Sequence, residues 1–174
     1  MNSMNATKKS CEVLEMLIED NLTYDQLKKI LQERADDIKL DDLYELSYLF
    51  NDDVKYLPDK YEEDYRKSIV HLMIKRYNLL KNDGKSYPGL VDKDEIDKIN
   101  EILNKEFEDK VFNKFNIIII YTTYFLKEPI HPTSSIFAGL KSISYDGEYY
   151  YCPIKKHHID NENAICKYCI AKEI

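Results

Sequence analysis

No tryptophan, 4 glycines and 5 prolines in 174 residues leave little material for a turn-rich β fold. Charged residues make up 33% of the chain and are dominated by Lys, Glu and Asp, a balance that favours long helices. Clustered positive charge is missing as well. The net charge is −7, with 20 basic against 27 acidic groups before residue 141, whereas Lys141 to Ile174 holds five lysines and five acids. An acidic body argues against nucleic-acid and anionic-membrane binding, both of which depend on grouped Lys and Arg. No apolar run reaches the ~20 residues of a bilayer span, the longest being Ile117 to Leu126. The N-terminus, Met1 to Lys9, lacks the apolar core of a signal peptide. These absences predict a soluble cytoplasmic protein with no membrane segment. In a reducing cytosol its cysteines are thiols or metal ligands rather than disulfides, although the Ile-, Lys-, Glu- and Tyr-rich composition keeps the hyperthermophile exception open.

What is present is mostly helical grammar. Cys11, Leu14, Met16, Leu17 and Ile18 share a face between about Thr7 and Asp20, where Cys11 reads as a small core residue. Thr23 to Gln26 has the form of a capping box, and Leu27, Ile30, Leu31, Arg34 and Ile38 continue a helix behind it. Asp41 or Asp42 begins a short helix with Leu43, Leu46, Leu49 and Phe50 inward. After Pro58 a longer helix runs from about Asp59 to Leu80, with Tyr61, Tyr65, Ile69, Leu72, Met73, Arg76 and Leu80 at three- and four-residue steps. His71 within it has no cysteine or acid at i±4 and reads as partnered or exposed rather than as a ligand. Asp92 to Glu95 supplies a second capping-box pattern before the stripe Ile96, Ile99, Leu103, Phe107 and Val111. Ile117 to Leu126 suits a strand by propensity. A central buried helix suits it better by context, because no other strand before residue 130 could pair with it.

Beyond Pro132 the pattern changes. Leu140 to Tyr145, the Asp146-Gly147 turn and Glu148 to Cys152 form the clearest hairpin pattern in the chain, with tyrosines placed for cross-strand pairing. The hairpin leads to Cys152, and Cys166-Lys167-Tyr168-Cys169 follows. A Cys-x-x-Cys turn places two thiolates where both reach a tetrahedral ion at about 2.3 Å. Cys152-Pro153-Ile154-Lys155 is half of a second knuckle, with Lys155 where its other cysteine would stand. Three sulfurs and one imidazole suit zinc. Cys152, Cys166 and Cys169 are therefore candidate metal ligands, with His131 the leading fourth and His157 or His158 the alternatives.

His131-Pro132, Phe137-Ala138-Gly139, Asp146-Gly147, Tyr150-Tyr151-Cys152-Pro153 and Asn163 to Cys169 together resemble the C-terminal pattern of domain-of-unknown-function family 2115, from methanogenic archaea. The resemblance implies a cytoplasmic archaeal protein, assigns no activity, and favours His131 over the paired histidines. The chain departs from that pattern at Thr133 to Ile136, where the family carries more glycine.

The expected architecture is mainly α. A helical body spans residues 1–130, and a zinc-ribbon-like hairpin with a cysteine cluster, residues 131–174, packs on it as part of one structural domain. The leading functional expectation is a structural zinc site in an interaction or accessory module with a protein partner. A metal-dependent or redox enzyme is the rival, using an open zinc with His131 or Glu148 as base, or an iron–sulfur centre. Single-stranded nucleic-acid binding through the tyrosine-rich hairpin comes third, because such binders also need a basic groove.

Overall fold

At the centre lies the stretch that the composition left between helix and strand. The computed structural model describes residues 21–46, 57–105, 113–161 and 164–174. In it α5 (Asn116–Ile120) runs directly into a π-helix (Tyr121–Leu126), and Asn116 to Phe125 are all buried. A helix buried on every side has no face for water and belongs to the core. It is contacted by α1 (Tyr24–Ala35), α3 (Asp59–Lys81) and α4 (Lys93–Asn104). Each surrounding helix contributes one stripe: Leu27, Leu31 and Ala35 from α1; Tyr65, Ile69, Met73 and Leu80 from α3; Ile96, Ile99 and Ile102 from α4. A fully buried Leu or Ile contributes about 1.5–3 kcal/mol, so these stripes carry much of the fold.

The ends of the helices are set locally. Thr23 forms the expected box: its hydroxyl accepts from the Gln26 amide at 3.2 Å, and Gln26 accepts from the Thr23 amide at 2.8 Å. The short α2 (Leu40–Glu45) is held by Asp42, which accepts from the Lys39 amide and pairs with Lys114, each at 2.7 Å. The box expected at Asp92 does not form. Asp92 accepts from the Asp94 amide at 2.9 Å, while Glu95 turns away to accept from the Tyr24 hydroxyl, a long-range partner that local pattern cannot reveal. The expected face around Cys11, and Leu49, Phe50, Phe107 and Val111, lie outside the described residues.

Asp83, in the turn after α3, fastens the central helix to its surroundings. One of its oxygens accepts from both the Tyr87 and Tyr121 hydroxyls, each at 2.7 Å, and the other from the Lys85 amide at 2.9 Å. Burial opposes the charge on Asp83, but these three donors outweigh it and hold the carboxyl below its ordinary value. A depressed carboxyl adds stability above its unfolded-state pKa, and that stability is lost as pH falls through the lower folded value. Asp83→Asn is therefore expected to cost about 1–3 kcal/mol near neutral pH and to flatten the acid loss. Urea unfolding at neutral and acid pH measures both effects.

A three-stranded sheet follows at the C-terminal end. β1 (Ser144–Tyr145) pairs antiparallel with β2 (Tyr150–Cys152), and β2 pairs in parallel with β3 (Lys172–Glu173). Tyr145 and Tyr150 face each other across the hairpin with ring centroids 4.6 Å apart. The strands are shorter than the sequence pattern suggests, because Asp146 accepts from the Glu148 and Tyr149 amides at 2.8 and 2.7 Å. Those donors are used in the loop rather than the ladder. Beyond β2 come α6 (Lys155–His158) and a 3-10 turn (Ile165–Tyr168). The mainly helical class with a small C-terminal sheet is thus observed. A zinc-ribbon likeness is not, since the strand that closes the sheet is parallel and separated from β2 by helical turns. Among the described residues no helix is long and apolar enough to cross a membrane.

Candidate metal centre

Three segments far apart in sequence meet behind the sheet. The first is the arm Glu128 to His131, which leaves the π-helix through Lys127 in the left-handed conformation (φ 54°). The second is the end of β2 with the Cys152-Pro153-Ile154-Lys155 turn, and the third is the 3-10 turn carrying Cys166 and Cys169. Together with Ile143 they line a cavity of about 10 Å³, bordered by Ile130, His131, Cys152, Lys155, Ile165, Cys166 and Cys169. That is room for about one water-sized body. Cys152 and Cys166 are buried, Cys169 is half-buried, and none of the three is in a disulfide.

Backbone amides address two of the sulfurs. The Ile154 and Lys155 amides of the half-built knuckle favour the Cys152 thiolate. Burial pushes the Cys152 thiol up, while these amides and the Lys155 ammonium pull it back; burial prevails. The Ile130 amide donates to Cys169 Sγ at 3.4 Å, and the Cys169 amide donates to the Cys166 carbonyl at 3.2 Å, closing the Cys-x-x-Cys turn. N–H groups beside sulfur favour thiolate.

His131 is placed by rings. It stands 5.5 Å from Phe137 and 6.4 Å from Tyr65 on α3, between centroids. His157 and His158 are exposed on α6 and do not line the cavity. Glu148 is exposed in the hairpin loop, and His71 is exposed on α3. His71 borders an open groove of about 860 Å³ that contains no cysteine and has Ile74, Leu79, Tyr121 and Leu126 among its lining residues. The smaller cavity is therefore where the thiol chemistry lies. Among the described residues, no group of three or more His, Cys, Asp or Glu side chains is already disposed to hold a metal ion.

Two residues that the sequence pattern left without a role complete the surroundings. Lys155 fills the vacant cysteine position, and its ammonium donates to the Cys169 and Ala171 carbonyls at 2.8 and 2.7 Å, binding the second knuckle to the first. Arg76, read as one more member of the α3 stripe, is 2% exposed and donates to the Pro129 and Ile130 carbonyls at 2.6 and 2.5 Å. An arginine within an otherwise apolar stripe was the available signal. Two further ties reach the helices. Thr123 on the π-helix donates to the Tyr168 carbonyl at 3.3 Å, and Lys167 pairs with Glu101 on α4. The hairpin tyrosines, by contrast, are engaged internally: Tyr145 with Tyr150, Tyr151 with Asp146 at 2.8 Å, and Tyr149 under the Lys172 ammonium.

Residues 23–174 match a family described as "Uncharacterized protein conserved in archaea" (DUF2115). A UPF0305 protein of Methanothermobacter thermautotrophicus is 30% identical over 157 residues, covering 86% of this chain and 96% of the relative. A UPF0305 protein of Methanocaldococcus jannaschii is 30% identical over 160 residues, covering 86% and 95%. One from Methanopyrus kandleri is 26% identical over 126 residues, covering 67% and 86%. No solved structure matches the chain.

Proposed function

The chain belongs to the archaeal DUF2115 family, and on that premise we propose that its C-terminal segment is a structural zinc site in a cytoplasmic interaction or accessory module. Cys152, Cys166 and Cys169 would supply thiolates and His131 the imidazole. The observation that carries this reading is the ion-sized cavity lined by all four residues, which come from three separate segments. The Ile154 and Lys155 amides, which act against the burial that raises the Cys152 thiol, and the Ile130 amide on Cys169 Sγ support it, because N–H groups beside sulfur orient thiolate ligands. Bound zinc would contribute folding free energy to a sheet whose strands are only two or three residues long. His131 would join that sheet to α3 through Tyr65, making segments 1–130 and 131–174 one structural unit.

Elemental analysis of purified, dialysed protein, taken with its visible spectrum, tests the reading. About one zinc per chain and no visible absorption are expected. Iron with visible colour would favour a redox centre in its place, and absence of any metal would remove the site. His131→Ala is expected to weaken zinc binding by about 10–100-fold, while the His157→Ala/His158→Ala double variant retains wild-type affinity. Competition with a chromophoric chelator measures both.

A further inference from the structure

The guanidinium of Arg76 lies in the interior with little negative charge to balance it. Its two terminal nitrogens are bound to the Pro129 and Ile130 carbonyls, and its Nε has no hydrogen-bond partner. The carboxylate paired with it among the described residues, Glu128, stands 3.5 Å away with its side chain 49% exposed. Carbonyl dipoles and a half-solvated acid offset a buried cation only partly. The peptide that Arg76 grips also bears on the sulfur site: the carbonyl of Ile130 accepts from Arg76, and the amide of Ile130 donates to Cys169 Sγ. Burial lowers the guanidinium's proton affinity, while Glu128 and Cys169 act to restore it, which places the sulfur within electrostatic reach of the cation.

A divalent ion held by three thiolates and a neutral imidazole carries one net negative charge. We propose that Arg76 is the positioning and charge-compensating residue of the cysteine centre. It fixes the arm that brings the Ile130 amide to Cys169 and His131 to the cavity, and its charge balances the filled site. This rests on the zinc reading above. It assigns Glu128 an opposing role, as the anion that holds the Arg76 charge while the site is empty and competes with the filled site for it.

Zinc affinities of the full-length wild type and of Arg76→Met, Arg76→Lys and Glu128→Gln test the proposal, using chelator competition after circular dichroism has compared the metal-free folds. Arg76→Met is expected to weaken zinc binding by about 10–100-fold. Arg76→Lys, which keeps the charge, is expected to recover part of that loss. Glu128→Gln is expected to tighten binding by about 2–5-fold, the size of a half-exposed ion pair. A residue that merely holds the fold would give weakening in both Arg76→Met and Glu128→Gln, with no recovery by Lys, and that pattern overturns the proposal. If Arg76→Met does not fold, the sign of the Glu128→Gln effect decides. Wild-type zinc binding with no change in Arg76→Met or Glu128→Gln overturns this inference alone. A wild type that takes up no zinc overturns the zinc reading and this inference together.

Discussion

The Cys166→Ser/Cys169→Ser double variant is expected to lose its zinc and to melt roughly 10 °C below the wild type, with its helical circular dichroism largely kept. The size follows from linkage. A metal present at about a thousand times its dissociation constant adds about 4 kcal/mol, and about 1 kcal/mol moves the melting point by about 2–4 °C in a chain of this length. The retained helix follows from where the burial lies. Leu27, Leu31, Leu80, Ile102 and Ile118 are fully buried among α1, α3, α4 and α5, and none of them lines the thiol cavity. The C-terminal segment has much less to hold it. Among the described residues its buried apolar side chains are Phe137, Ile143, Ile165, Tyr168 and Ala171 beside the cysteines, and its ties to the helices include the Thr123 and Lys167 bonds and the Tyr65 ring contacts. Calorimetry of the wild type with and without chelator, beside the double variant, separates the two cases. Chelated wild type should melt with the variant. A variant that keeps both its zinc and its melting point would sink the ligand assignment.

The second large effect lies in the helix that the other helices surround. Ile118→Ala is expected to destabilise by about 2–5 kcal/mol, because a fully buried β-branched side chain leaves a cavity that its neighbours only partly fill. Leu90→Ala, at a side chain 59% exposed, is expected to change stability by no more than about 0.5 kcal/mol. Denaturant unfolding measures both. Ile118→Ala should lower the stability of metal-free and metal-loaded protein alike and leave zinc content unchanged, the reverse of the cysteine variant. An Ile118→Ala cost as small as that of Leu90→Ala would mean that Asn116 to Phe125 is not the packed centre.

The local parts of this structure were legible and the long-range parts were not. The Thr23 box, the helix expected from Asp59 to Leu80 and found as Asp59–Lys81, and the Tyr145–Tyr150 pair each depend on neighbours in sequence or across one tight loop. Ile117 to Leu126 was readable as a buried helix by elimination. Its π winding was not, because nothing in Tyr121 to Leu126 announces a wider turn. β3 escaped because two residues paired in parallel leave no pattern. At the thiol site, cysteine spacing alone brought Cys152, Cys166 and Cys169 together, and the structure lines one cavity with them and His131. The absence of a second cysteine made the Cys152 turn look incomplete. Yet the Ile154 and Lys155 amides favour the Cys152 thiolate whatever side chain stands at Lys155. Arg76 was hidden more deeply. Its partners lie more than fifty residues away, and its place in the α3 stripe gives no sign of the arm that it holds.

X-ray absorption at the zinc edge of the purified protein bears most directly on the central claim. The account predicts one tetrahedral zinc per chain with three sulfurs at about 2.3 Å and one imidazole nitrogen at about 2.0 Å. Losing the nitrogen in His131→Ala while keeping all three sulfurs would fix the fourth ligand. Fewer than three sulfurs around the metal, or no zinc in the protein at all, would contradict it.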